Sequence, residues 1–263
     1  MIYPMYYFDP TYVLVLIGVV LSLLASARVK STFSKYSRMH NSRGITGAQA
    51  AQQVLHNAGI YDVRIEQVAG NLTDHYDPRS KVLRLSDSVY GSTSVAAIGV
   101  AAHECGHAIQ HARGYAPLRF RNVLVPVANI GAQIAWPLIL FGLLFTSKSS
   151  ALLIEAGIIA FSLAVLFQIV TLPVEYNASN RAIRCIADTG MMYGQEIVSA
   201  KKVLNVAALT YVAGAASSIL QLLRLIILTG GRRRNDKRVS TWDSFGSDKR
   251  WRIQSYRASK CSE

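Results

Sequence analysis

The sequence predicts a mainly α membrane protein with three or four transmembrane helices and a small α+β domain. Three observations predict it. Apolar residues make up 51% of the 263-residue chain and charged residues 16%, against about 25% charged in ordinary soluble domains. Four apolar stretches have about the length needed to cross a hydrocarbon core of roughly 30 Å. Between the first two lies a polar segment in which helical and strand periodicities alternate.

Residues 1–29 hold the first stretch, residues 12–27, expected as an N-terminal transmembrane anchor. No basic residue precedes it, and Arg28, Lys30 and Lys35 follow it. Its basic end is therefore expected in the cytoplasm. Residues 30–122 form the polar segment. Thr46 is placed to cap a helix running through His56, which Asn57-Ala58-Gly59 would end. Val63, Ile65 and Gln67 alternate with Arg64 and Glu66 as in a strand. Residues 74–80 carry turn chemistry around Asp77-Pro78. Residues 81–85 alternate again, and residues 93–113 read as one long helix.

Residues 123–175 are expected as a transmembrane hairpin of two stretches, 123–145 and 151–174. Lys148 is the single charge in the short link, while Arg119 and Arg121 enter the hairpin and Arg181 and Arg184 leave it. Both open ends are thus expected on the cytoplasmic face. Residues 176–229 are expected to complete the site and to form the last membrane helix. Lys201 and Lys202 precede that stretch and Arg232, Arg233 and Arg234 follow it, so both ends ask for the same side. Its first half is small and mildly polar (Asn205, Thr210, Gly214, Ser217) and suits packing on the polar domain. Residues 230–263 are basic, Ser-rich and poor in aliphatics, and are expected as a disordered tail.

The net charge is +13. The arginines and lysines gather at the ends of apolar stretches and in the tail, so the basic balance points to a lipid bilayer and not to nucleic acid. Cys105, Cys185 and Cys261 are far apart and odd in number, which argues against a disulfide framework. Nothing in the sequence fixes an oligomeric state.

The helix at residues 93–113 contains His103-Glu104-Cys105-Gly106-His107, the HExxH pattern. Side chains at i and i+4 stack on one helix face about 6 Å apart. Two imidazoles so placed can bind one tetrahedral Zn²⁺ at about 2.0–2.1 Å per bond. Glu104 flanks the ion without being forced to ligate it, and is placed to act as general base on a zinc-activated water. The flanks, Val95 to Ala102, are almost wholly apolar, and burying a His-Glu-His cluster there is costly without a metal. Cys105 lies off the ligand face and reads as a small structural residue.

A catalytic zinc site takes three protein ligands. His111 is about 12 Å along the helix axis from His103, and no histidine follows it, so the third ligand is expected to be a carboxylate. The chain has six glutamates. Glu175 stands where the third stretch ends on the side of His107, and is the expected ligand, with Glu196 or Asp188 as alternatives. Arg181 is a candidate partner for Glu175 or for a substrate carboxylate. His75 and Tyr76 either donate to a developing oxyanion or merely shape the turn.

HECGHAIQH, the hairpin after it and LPVEYNASNRA resemble the YugP-like family of membrane zinc metallopeptidases. The resemblance covers roughly residues 1–229, including LTDHYDP before the site and VLNVAALTYVAGAASSILQLLR after it. It implies a bacterial or organellar membrane zinc peptidase with a small zincin-like domain and a gluzincin-like site. Cofactor Zn²⁺, a peptide or membrane-protein substrate, and a multi-pass protein of the cell (inner) membrane with its site toward the cytoplasm are the matching expectations. More distantly the pattern is similar to HtpX-type proteases, which carry an Asp four residues after the ligand Glu. Ser179 occupies that position here, which brings Asn177 forward as a replacement. In zincin folds an edge strand above the HExxH helix pairs with extended substrate, and residues 81–85 are the candidate.

Two other readings compete. A catalytically silent zinc-binding scaffold would keep the histidines for structure, though the retained Glu104 argues against it. An intramembrane protease would bury HExxH in a span, but His103, Glu104, His107, Gln110, His111 and Arg113 leave too few unbroken apolar residues.

Overall fold

The computed structural model describes residues 9–145 and 150–259, with side chains as far as residue 229. Its elements are α1 (Tyr12–Tyr36), α2 (Gly47–Asn57), β1 (Arg64–Val68), β2 (His75–Asp77), β3 (Val82–Ser86), α3 (Asp87–Tyr90), α4 (Val95–Ala112), α5 (Ala116–Leu144), α6 (Ser150–Asp188) and α7 (Gln195–Ser259). Among the described residues 4 helices are long and apolar enough to cross a membrane: α1, α5, α6, and α7 as far as Thr229. They stand side by side in the order α1, α7, α6, α5. Their outer faces are apolar: Leu23 and Leu152 are 65% and 68% exposed, a surface that suits lipid contact.

The small domain is built by local signals. The Thr46 hydroxyl accepts from the Gln49 N–H and the Gln49 side chain answers at the Thr46 N–H, a complete capping box that starts α2. Gly59 adopts φ +75° just past its end, a conformation glycine takes at little cost. The three strands lie in the order β1-β3-β2. β3 pairs parallel with β1 and antiparallel with β2. The expected turn at 74–80 therefore contains a strand, because Tyr76 pairs with Leu83 and Asp74 anchors the segment by accepting from the Ser86 N–H at 2.7 Å. β3, expected as a free edge over residues 81–85, is the central strand, and β2 takes the edge.

Helix α4 lies in the middle of the domain. Ser94 caps it by accepting from the Ala97 N–H. Val95, Ile98, Ala101 and Ala102 are fully buried in a core shared with Ala51 and Leu55 of α2, Leu83 and Leu85 of β3, Ala182 and Ile186 of α6, and Leu204 of α7. Each large aliphatic side chain buried there contributes about 1.5–3 kcal/mol. The alanines give little area but permit close helix approach. α4 and α6 approach closely: a Cβ on Gly106 would stand 2.5 Å from the Ala178 carbonyl oxygen.

The long helices depart from expectation in three ways. α5 starts several residues before 123, with Pro117 in its first turn, where a proline is pre-organised for helix. α6 runs through Pro173 to Asp188 without stopping, which puts Glu175 inside a helix. α7 is one continuous helix, so the expected disordered tail at 230–263 is helical as far as Ser259. No proline follows Pro173, and arginine and lysine are good helix formers.

α7 runs antiparallel to α1. Ser217 donates to the Gly18 carbonyl at 2.7 Å, and Arg224 reaches Asp9 at 3.5 Å. At its other end Ala200 packs on Gly99 of α4. The helix thus passes the full height of the bundle, with Lys201 and Lys202 at the α4 end and Arg224 at the Asp9 end.

The Gly106 contact yields a test. Gly106→Ala must push α6 off α4, with a destabilisation of about 1–3 kcal/mol, read as a lower unfolding temperature in detergent together with reduced bound metal. Gly99→Ala is the control, since its Cβ would meet nothing nearer than 3.6 Å, and it leaves both quantities near the parent values.

Candidate metal centre

Four residues of α4 at helical spacing, His103, Gly106, His107 and Gln110, form the stripe that faces α6. Opposite them, from residue 179 back to 174, stand Ser179, Ala178, Glu175 and Val174. The absent side chain at Gly106 lets the helices approach until Glu175 lies against both imidazoles. Its Oε2 is 3.3 Å from His103 Nε2 and 3.6 Å from His107 Nε2. The imidazole rings stand edge to face with centroids 4.8 Å apart. One donor atom from each of the three residues falls within 4.8 Å of the other two, a grouping that can hold a metal ion. Glu175 is 2% exposed, and its Oε2 is buried without a hydrogen bond of proper geometry. A buried carboxylate oxygen facing two ring nitrogens and otherwise unsatisfied fits a divalent cation, and the two-nitrogen, one-oxygen set fits zinc.

Neighbouring groups orient these three. His103 Nδ1 meets the Ser179 hydroxyl at 3.0 Å and His107 Nδ1 meets Gln110 Oε1 at 3.1 Å. Gln110 is held in turn, donating from Nε2 to the Val174 carbonyl at 2.8 Å and to Asn177 Oδ1 at 3.0 Å. Ser179 therefore does the orienting at its own position. Asn177, expected to replace the missing Asp, serves Gln110 and also accepts from Arg181 Nε at 2.7 Å. Arg181 lies over the Tyr115 ring and does not pair with Glu175. Arg121 comes nearer, with Nη2 4.0 Å from Glu175 Oε1. Glu196 accepts from the Ser42 and Tyr193 N–H groups and stays outside the metal-ligating group, as does Asp188.

Glu104 is partly buried beside the group. Its Oε2 accepts from the Tyr76 N–H at 3.1 Å. Burial raises its pKa, opposed by the two imidazoles. For His107, burial pulls the pKa down, but the hydrogen bond of Glu175 and the charges of Glu104 and Glu175 more than offset that and the net direction is upward. The Tyr76 hydroxyl meets His111 Nδ1 at 2.9 Å, and burial pushes the phenol up to about 12. Tyr76 thus acts on the site through its backbone. His75 Nδ1 meets the Thr73 carbonyl at 2.8 Å while the residue lines the cavity next to Glu104. The Cys105 thiol faces the Ala51 carbonyl, and burial holds it well above the usual thiol range, in keeping with a structural role.

Two cavities meet at this point. One, of about 220 Å³, is lined by Val29, Val100, Leu204, Ala207, Ala208 and Thr210 among others. The second, of about 190 Å³, is lined by His75, Tyr76, Arg121 and Asn122 among others. Asp74, Glu104, Glu175 and Tyr211 line both. Gln110, Ser179, Arg121 and Tyr211 escaped the sequence reading as site residues. The i, i+3, i+4, i+7 stripe of α4 carried a signal for Gln110, whereas nothing local singled out Tyr211 within its apolar stretch.

Helix-borne HExxH, a carboxylate from the second helix of the hairpin that follows it and a three-donor group define a membrane zinc metallopeptidase class. The chain belongs to the family described as "Putative neutral zinc metallopeptidase", whose model matches residues 11–230. It is similar to "Putative membrane protease YugP" of Bacillus subtilis (strain 168), 48% identical over 216 residues, or 82% of this chain and 95% of that protein. No solved structure matches it. Zinc is the cofactor of this family, and His103, His107 and Glu175 are the group able to hold it.

The orienting contacts give a prediction. Ser179→Ala lowers zinc affinity about 10–100-fold, the usual effect of losing a partner behind a ligand, measured by competition with a chromophoric chelator. Glu175→Ala loses the ion on dialysis.

Proposed function

We propose that the protein is an integral membrane zinc-dependent peptidase that hydrolyses peptide bonds with Glu104 as general base and His103, His107 and Glu175 as zinc ligands. The observation that carries this reading is the partly buried Glu104 carboxylate beside a three-donor group. One of its oxygens is fixed by the Tyr76 N–H at 3.1 Å. A silent scaffold needs the three donors but gives Glu104 no task, and burying an idle carboxylate is costly.

Bound zinc supplies Lewis acidity and lowers the pKa of a coordinated water to about 7. Glu104 takes the proton of the attacking water on its free oxygen and passes it to the leaving amine. The Tyr76 N–H holds the carboxylate in place for both transfers. Tyr211, on the wall common to the two cavities, presents a hydroxyl that stabilises the oxyanion developing on the substrate carbonyl. β2 is the edge strand at the site, but its Tyr76 N–H is already committed to Glu104. The strand therefore positions the base more than it pairs with substrate.

We place the site at the cytoplasmic face of the cell membrane. The support is the basic end of α1, with Arg28, Lys30 and Lys35 after an opening stretch without them. Arg232, Arg233 and Arg234 then follow the last span on the outer face.

Glu104→Gln should retain zinc and lose roughly 10²–10⁴ in hydrolysis of an unfolded polypeptide such as casein. Tyr211→Phe should lower kcat by about 10²–10³ with little change in KM, the usual loss for one oxyanion donor. Unaltered proteolysis in Glu104→Gln would falsify the assignment. A phosphatase reporter active only outside the cytoplasm, fused after residue 229, should be active, while the same reporter fused between α2 and β1 should be silent.

A further inference from the structure

The two cavities differ in chemistry and share one wall. The larger is bounded by Val29 of α1, Val100 of α4, and Leu204, Ala207 and Ala208 of α7, so helices that cross the bilayer form two of its sides. Along α1 and α7 these lining residues lie on the site side of the helices' contact at Gly18, Ser22 and Ser217. The smaller cavity lies on the other side of Glu104 and is polar. There Arg121 stands at the start of α5 with its Nε buried and without a hydrogen-bond partner. The Arg121 guanidinium also lies over the Phe167 ring and reaches toward Glu175, with Nη2 4.0 Å from Oε1.

A polypeptide lying through both cavities must pass Glu104 and Glu175, because these residues belong to both linings. Its apolar part would occupy the side between the spanning helices. Its polar part would lie beside Arg121, a cation that lines that cavity and suits a backbone carbonyl or a carboxylate. We propose that the substrates are membrane-spanning polypeptides, cut where a transmembrane segment leaves the bilayer, with an apolar residue of that segment seated between α1, α4 and α7. This rests on the peptidase reading of the same site and adds the class of substrate.

Small residues set the size of the apolar seat. Ala207 and Ala208 form its α7 wall, and a larger side chain at either position fills it. Ala207 is partly exposed and is the position of choice for a filling substitution, whereas Ala208 is 3% exposed and packed in the core.

The test uses the purified, zinc-loaded full chain in lipid nanodiscs. Substrate one is a single-span protein carrying a polar extension on the site face. Substrate two is that extension as a free peptide, and casein is the third. The spanning substrate should show a kcat/KM at least about tenfold above the free extension, the preference expected from burying one apolar side chain in the seat. Mass spectrometry should map the cut to within roughly one or two helical turns of the membrane boundary. Ala207→Phe should abolish the preference while the free extension is still cut, with an unchanged unfolding temperature showing that the fold is intact. Equal efficiency on the first two substrates, or cuts remote from the boundary, overturns the inference and leaves the peptidase reading standing. Absence of cleavage of all three, casein included, overturns both.

Discussion

The contact between Gly106 and Ala178 is the constraint on which the site depends. Any side chain at residue 106 would meet the α6 backbone at 2.5 Å, so the two helices approach as closely as backbones allow. That approach brings a carboxylate from one helix within reach of two imidazoles on the other. The separation cannot drift, because rows of small and apolar side chains on both sides of the stripe (Ala101, Ala102, Ala178, Ala182) are fully buried. Close-packed interiors transmit displacement instead of absorbing it. The metal-ligating geometry is therefore a property of helix packing, with the side chains adding the donors.

Much of this was legible in the sequence because the signals are local. The HExxH spacing places both histidines on one face whatever the rest of the chain does. The capping box at Thr46 and Gln49 starts α2 where expected. Glu175 followed from elimination among a few glutamates plus the hairpin geometry. What escaped depended on contacts between distant segments. Ser179 and Gln110 orient the histidines only because α4 and α6 run antiparallel in one register. Arg121 reads from sequence as a topology signal, and its nearness to Glu175 appears only once α5 packs on α6. Residues 81–85 carry the alternation of a half-buried strand, but a single strand cannot reveal that partners lie on both sides of it. Residues 230–263 look disordered by composition, which does not register that α7 supplies a helix end for them to extend.

The environment of Glu104 reconciles two demands. A carboxylate partly withdrawn from water needs hydrogen-bond partners, and the general base proposed here must also keep an oxygen free. The Tyr76 N–H satisfies one oxygen from the edge of the sheet, and the rest of that strand is anchored through Asp74 to Ser86. The three-stranded sheet is too small to form a core of its own, and β3 buries against α4. Its contribution is to hold one backbone donor in place.

The antiparallel pairing of α1 and α7 also fastens the far end of the bundle. The start of α1 and the part of α7 near residue 224 sit together, joined by Arg224 and Asp9, at the end of the bundle remote from His103 and Glu104. Separating the two helices at that end must first break this ion pair, so α1 and α7 latch each other far from the metal-ligating group.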